Sequence, residues 1–239
     1  MPDGLAGQHE GRRRFLPVAA LLLCAALAAG LGGWQVKRLA WKDALIAHVQ
    51  AALAKPPVEA GSLPFAPSPE ALEALEYRPV RITGQFLPQG TTLVSALTEE
   101  GAGFWVLAPL RMADGRAVWI NRGFVPLGTK RDAVITPAGG VTLTGLLRKS
   151  EPKGRFLQAN VPAQDRWYSR DIAALSATRG LSGGADWFLD AKGPRIPGQP
   201  IAGLTVITFP NSHLQYALTW FALSGLCLLG VVLVMRRRD

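Results

Sequence analysis

Cysteine is nearly absent. The 239 residues hold two, Cys24 and Cys227, each inside an apolar run. The chain between those runs has none, which excludes a disulfide framework, a CxxC redox pair and a thiolate metal site there. Histidine is almost as scarce, at three residues, and the stretch 35–212 holds only His48. A serine–histidine dyad or a multi-histidine metal centre has no place in that stretch. His48 has no partner ligand at i±4 and reads as a solvated or packed helix residue. HExxH, a Walker loop and a GxGxxG after a strand are all missing, so the common metalloprotease and nucleotide-binding signatures are absent.

Acidic residues are also short, 17 against 26 Lys and Arg, for a net charge of +9. Part of that excess sits in two clusters, Arg12–Arg14 and Arg236–Arg238. No basic run interleaved with aromatics appears in the middle of the chain, so the balance does not point to nucleic acid. Asp165, Asp171, Asp186 and Asp190 are scattered and read as caps or ion-pair partners.

What is present is apolar. From Leu214 to Met235 no residue is charged, a run of about 22 residues or about 33 Å of helix. A bilayer core is about 30 Å thick. Residues 15–34 form a second run, FLPVAALLLCAALAAGLGGW, directly after Arg12–Arg14. A cleaved signal peptide has the same order of parts, but its apolar region is shorter. An uncleaved span is therefore the expectation, with Trp34 as interfacial anchor. The arginine clusters then put both ends on the cytoplasmic side and residues 35–212 on the other. The lipid bilayer is thus the first partner.

The domains expected are a cytoplasmic tail (1–14), a first span (15–34), a membrane-proximal helix (35–54), a β-rich periplasmic domain (55–212), a second span (213–235) and a short tail (236–239). Residues 1–11 read as irregular. In 35–54 a stripe of Trp41, Leu45, Val49 and Ala52 or Leu53 continues from Trp34 at helical spacing. Residues 56–69 are proline-rich and read as a linker or extended loop, and 70–76 as a short helix. Strands are expected at Tyr77–Phe86, Thr92–Ala96, Phe104–Met112, Ala117–Val125, Val141–Arg148, Trp187–Asp190 and Leu204–Phe209. Asp114-Gly115 marks a hairpin turn. Asp171–Arg179 reads as a helix capped by Asp171 and ended by Gly180. The fold class is α+β: two membrane helices flanking an antiparallel sheet or small barrel.

The sharpest chemical feature is His213, at the mouth of the second span. Pro210 blocks a helix backwards, Asn211 or Ser212 is a good N-cap, and Ser212 with Gln215 has capping-box spacing. The positive end of the helix dipole favours the neutral imidazole, the form that binds a metal or haem iron. His213, Tyr216, Ala217 and Trp220 follow i, i+3, i+4, i+7 spacing on one face. The alternative is an interfacial belt of His, Tyr and Trp at headgroup depth. Arg122 in WINRGFVP and Arg170 in WYSRD sit beside aromatics. They suit a haem propionate or a partner carboxylate, or else a structural ion pair inside the sheet.

Five patches in order resemble the surfeit locus protein 1 family: 32–46 (GGWQVKRLAWKDALI), 76–86 (EYRPVRITGQF), 103–126 (GFWVLAPLRMADGRAVWINRGFVP), 167–172 (WYSRDI) and 211–224 (NSHLQYALTWFALS). The last matches an NxHLxYAxTWF pattern at Asn211, His213, Leu214, Tyr216, Ala217, Thr219, Trp220 and Phe221. The resemblance implies an assembly factor for haem–copper cytochrome c oxidase. It implies haem a as a transient cofactor and His213 as a ligand to its iron, with Tyr216 and Trp220 beside the macrocycle. Implied partners are oxidase subunit I, haem a synthase and other oxidase assembly factors. The chain differs from mitochondrial members in lacking a long Arg- and Ser-rich leader, which fits a bacterial inner-membrane protein. No catalytic residue is expected.

Three other readings stay open at this level. A cofactor-free scaffold would use the aromatic face, Ser224, Gly225 and Gly230 for helix packing. A membrane-anchored enzyme would need a polar pocket, which sequence does not reveal. A sensor would need a cytoplasmic output module, for which both tails are short.

Overall fold

The computed structural model describes residues 6–152, 154, 158–205 and 210–236. Its elements run α1 (Ala6–Ala54), β1 (Val58–Glu59), α2 (Pro69–Leu75), β2 (Pro79–Phe86), β3 (Thr92–Thr98), β4 (Gly101–Arg111), β5 (Ala117–Pro126), β6 (Gly140–Lys149), α3 (Ile172–Thr178), β7 (Trp187–Ala191) and α4 (His213–Arg236). They form two compact units, Met1–His48 with Thr208–Asp239, and Val49–Ile207.

The first unit is a helix pair. Both helices are long and apolar enough to cross a membrane, with windows of mean hydropathy 2.3 within Phe15–Ala54 and His213–Arg236. Only 17% and 11% of those windows are buried, whereas a soluble core helix would be mostly covered. Their outward apolar surface is compatible with anchoring in a bilayer. The helix is continuous through residues 34 and 35, so the expected span and membrane-proximal helix are one element. The irregular tail expected over 1–11 already gives way to helix at Ala6; residues 1–5, like Arg237 and Arg238 at the other end, lie outside the described residues.

Small residues bring the two helices together. On α1 the less exposed positions are Val18, Leu21, Ala25, Ala28, Gly32, Gln35, Leu39 and Lys42; on α4 they are His213, Ala217, Trp220, Ser224, Cys227, Val231 and Val234. Both sets step by three and four, the seven-residue repeat of a coiled-coil seam. Ser224 Oγ donates to the Ala25 carbonyl at 2.9 Å. A Cβ on Gly32 would lie 2.7 Å from the Phe221 ring, and one on Gly230 3.3 Å from Leu21. Partners thus run backwards on α1 as they run forwards on α4, so the helices are antiparallel. Close backbone approach through Gly, Ala and Ser is how helices associate in lipid, where apolar bulk gives no drive. Gly225, by contrast, is exposed, and a Cβ there would meet nothing within 4 Å.

The second unit is a seven-stranded sheet in the order β1-β2-β6-β7-β5-β4-β3, with a further β2–β4 pairing. That pairing, Gln85 with Arg111 and Phe86 with Leu110, closes β2, β6, β7, β5 and β4 into a small barrel. The closure selects the barrel from the two forms expected. Most pairs are antiparallel, but β5–β7 and β1–β2 are parallel. Gly84 permits the closure, because a Cβ there would overlap the Arg111 carbonyl.

Alternation assigns the strand residues to two cores. Val80, Ile82, Ala108, Leu110, Val118, Ile120, Leu147, Trp187 and Leu189 come from all five ring strands and fill the barrel. Leu107, Trp119 and Phe188 point outward and pack with Val94 of β3, Trp167, and Ile172 and Leu175 of α3. β5 is covered on both sides, so nine consecutive residues from Ala117 are buried. Each buried tryptophan finds a polar partner for its ring N–H: Ser176 for Trp119, Asp165 for Trp167 and the Pro64 carbonyl for Trp187.

The proline-rich stretch 56–69 is an extended loop that folds onto the barrel, with Phe65 5.7 Å from Trp187. The expected turn at Asp114-Gly115 forms, with Gly115 at φ +84° and the Asp114 side chain accepting from the Arg116 N–H. Asp171 caps α3 by accepting from the Ala174 N–H. Of the strand expected at Leu204–Phe209, residues 206–209 lie outside the described residues.

Candidate functional site: the head of α4 and two buried arginines

His213 is the first residue of α4. The Ser212 carbonyl accepts from the Tyr216 N–H at 3.2 Å, which makes Ser212 the N-cap position. The imidazole is half-buried against α1, and its Nδ1 lies 2.7 Å from Gln35 Oε1. Two further contacts fix the chain where it enters α4. Asn211 Nδ2 donates to Asp43 Oδ1 at 2.7 Å, and the Lys42 ammonium donates to the Pro210 carbonyl. A polar clamp therefore stands at the end of an apolar helix pair.

The four residues grouped by spacing separate in the structure. His213, Ala217 and Trp220 turn into the seam, while Tyr216 faces out, 54% exposed. A seam repeating every 3.5 residues takes positions 213, 217 and 220 and leaves 216 on its flank. Trp34 and Trp41 are also exposed, and the Arg38 guanidinium lies 4.1 Å from the Trp41 ring. Such a belt of Trp, Tyr and basic residues suits a membrane–water boundary.

Arg122 and Arg170 lie in the sheet unit and share no partner. Arg122, on β5, is buried at 8% exposure. It donates through Nη2 to the Ile135 carbonyl at 2.9 Å, through Nη1 to Thr136 Oγ1 at 3.4 Å, and sits over the Phe86 ring. Among the described residues no carboxylate lies within ion-pair distance of it. Burial pushes its guanidinium below the ordinary arginine value.

Arg170 is held by two carboxylates. Its Nε donates to Glu151 Oε2 at 3.0 Å, its Nη2 to Glu151 Oε1, and its Nη1 to Asp190 Oδ1 at 3.1 Å. Burial works against its charge, but Asp190 and Glu151 outweigh that and raise it. Burial would likewise raise the Glu151 carboxyl; the hydrogen bonds and charge of Arg170 hold it below the usual carboxylate value instead. One side of Arg170 lines a cleft of about 380 Å³ with Ser95, Trp105, Glu151 and Tyr168.

Asp190 is the hub of this network. It is 3% exposed and accepts four hydrogen bonds. Asn121 (2.8 Å) and Arg170 (3.1 Å) donate to Oδ1, Arg148 (3.2 Å) and Thr205 (3.0 Å) to Oδ2. The sequence marks Asp190 only as a capping or pairing residue. The signal that singles it out is a lone carboxylate in an otherwise apolar strand, WFLDA. Gln35 carries a fainter one, since it is the single uncharged polar side chain in the seam of α1.

Among the described residues no three His, Cys, Asp or Glu side chains gather as a metal site. Haem iron requires less, one or two protein ligands. His213 fits that requirement: one ring nitrogen is held by Gln35 and the other carries no hydrogen bond to a described residue.

Fold and site together define a class: two antiparallel apolar helices, joined in the sequence by a small β-barrel, with a histidine at the head of the second helix. The comparisons with known proteins identify it further. The SURF1 family model matches residues 22–225, and the chain belongs to that family. It is 35% identical to surfeit locus protein 1 of Homo sapiens over 230 residues, covering 86% of this chain and 73% of the human protein. The mouse protein of the same name is 35% identical over 87% of this chain and 71% of its own length. A SURF1-like protein of Monosiga brevicollis is 34% identical over 91% and 87%.

Proposed function

We propose that this protein assists the assembly of haem–copper cytochrome c oxidase by holding haem a through His213 for insertion into subunit I. Membership of the family supports the oxidase part of the reading. A single observation supports the haem part: an imidazole at the head of an apolar helix, with Nδ1 held by Gln35 at 2.7 Å.

When bound, haem a would bring an iron centre in a flat macrocycle with an apolar tail and two propionates. The chain would supply the rest. His213 offers an imidazole nitrogen, Tyr216 an open ring beside it, and the outer faces of α1 and α4 a surface matched to lipid. Trp220 is packed in the seam and would support α4 more than it touches the cofactor. A single strong ligand with few other contacts suits a protein that must release what it holds. Of the two arginines, Arg170 already binds two carboxylates, while Arg122 is held by the Ile135 carbonyl and the Thr136 hydroxyl.

The membrane is crossed twice, with both arginine-flanked ends cytoplasmic and the barrel on the opposite face. In a bacterial cell that face is the periplasm. Oxidase subunit I, haem a synthase and other oxidase assembly factors are the partners, and the role is not catalytic.

The test is a strain lacking this protein, complemented with wild type or His213→Ala. Wild type restores the haem a content of the purified oxidase and His213→Ala does not. Equal restoration by both at equal protein level contradicts the reading. One observation favours a cofactor-free scaffold: the seam that takes His213 and Trp220 is a helix-packing surface. On that reading full oxidase activity survives His213→Ala and is lost when the helix pair is disrupted.

A further inference from the structure

The bond between His213 Nδ1 and Gln35 Oε1 has a direction, and the direction decides which ring nitrogen is available to a ligand. A neutral imidazole carries one proton. If Nδ1 donates to the amide oxygen, Nε2 keeps its lone pair. If the Gln35 amide were turned so that its NH₂ donates to Nδ1, the proton would sit on Nε2, and that nitrogen could bind nothing. The amide oxygen faces the ring here, at 2.7 Å.

We propose that Gln35 is a positioning residue for His213: its side-chain oxygen accepts the Nδ1 proton, fixes the ring in the seam and leaves Nε2 as the ligating nitrogen. The inference rests on the haem reading for its consequence but not for its geometry. Two features of the helix pair support it. Gln35 occupies a seam position of α1, where a Leu or Ala would fit the repeat better. A polar residue at such a position typically fixes register at a cost in stability. The chain entering α4 is held just before His213, by Asp43 on Asn211 and Lys42 on the Pro210 carbonyl. These contacts anchor the backbone that presents His213 to Gln35. The arrangement is the one by which metal-binding histidines are generally oriented, with the second ring N–H given to an oxygen acceptor.

The test uses the full chain in lipid nanodiscs, as wild type, Gln35→Leu and Gln35→Glu. Glutamate keeps the size and the acceptor, so it decides the matter if the leucine variant does not fold. In haem-free protein labelled with ¹⁵N-histidine, the His213 signals are assigned by their loss in His213→Ala. Wild type is expected to show the Nδ1-protonated tautomer, and Gln35→Leu a mixture. On titration with haem a, Gln35→Leu is expected to bind about 10–100-fold more weakly, the usual loss for an orienting partner. Gln35→Glu should bind at least as well as wild type and give a lower reduction potential, because a carboxylate acceptor makes the imidazole a stronger donor. A mere packing role for Gln35 would leave the His213 tautomer the same in wild type and Gln35→Leu.

An Nε2-protonated His213 in the wild type overturns the proposal, as does unchanged haem affinity and potential in both variants. If wild type binds no haem a, the functional reading falls, while the tautomer measurement still decides what Gln35 does to His213.

Discussion

Asp190 offers the most quantitative test of how the barrel is held. Its carboxylate accepts from Asn121, Arg170, Arg148 and Thr205 while 3% exposed. Replacing it with Ala removes the acceptor of four donors at once, of which Asn121 is buried and the others half-buried. Two of them keep another partner: Arg170 stays on Glu151 at 3.0 Å and Arg148 beside Glu76 at 3.5 Å. The cost is therefore less than that of two orphaned guanidiniums. Breaking a buried ion pair from one side costs about 3–5 kcal/mol. Asn121 and Thr205, if left unpaired, add about 1–3 kcal/mol each, offset where water enters the gap. A loss of about 3–5 kcal/mol is the expectation, or about 6–20 °C in Tm for a chain of this size. Thermal unfolding of the detergent-solubilised protein, followed by tryptophan fluorescence, reads it directly, since Trp119 and Trp187 flank the network on β5 and β7. A cycle with Arg170→Met should show that the two changes are far from additive. A shift below about 2 °C for Asp190→Ala would refute the claim that this network holds the strands together.

Three further outcomes are expected. Gly123→Ala should cost about 2–5 kcal/mol, because Gly123 has φ +127° and a Cβ there would overlap the Ile201 carbonyl; denaturant midpoints measure it, and a neutral effect would contradict the bridge from Phe124 to Ile201. The Glu151 carboxyl is held below the ordinary glutamate range, so its ion pair contributes stability above that range. That contribution is lost as pH falls through the lower folded value, and Glu151→Gln should flatten the acid limb of Tm against pH; identical acid limbs would count against the pairing. Cys24 and Cys227 lie within the two apolar helices. Charged maleimides should label neither in sealed vesicles and both after denaturation; labelling in intact vesicles would place those helices outside the bilayer.

The strands of the barrel were legible because each carries a local signature. Tyr77–Phe86 and Val141–Arg148 alternate, Asp114-Gly115 forces a turn, and Asp171 caps α3. What joins them was not legible. The β2–β4 closure depends on Gly84 passing beneath Arg111, and the parallel β5–β7 pair on a crossover through α3; neither leaves a periodic trace. β1 is two residues long inside a proline-rich stretch, too short for any pattern. At the site, spacing alone put His213 and Tyr216 on one face, because a 3.6-residue helix was assumed where a seven-residue seam operates. The steps Ala25, Ala28, Gly32 and Ala217, Ser224, Val231 carried the information that corrects it, and they also place Gln35 opposite His213. Arg170 and Asp190 are read as partners only once β6 and β7 are paired, since the sequence separates their contacts by 15 residues or more.

The central claim is that the imidazole at the head of α4 holds haem a. The most direct measurement is the visible absorption spectrum and extracted haem a content of the full chain, purified from cells that make haem a, as wild type and as His213→Ala. Wild type is predicted to carry haem a with a Soret band that His213→Ala loses while its Tm stays the same. Equal haem in both proteins, or none in wild type, would contradict the account.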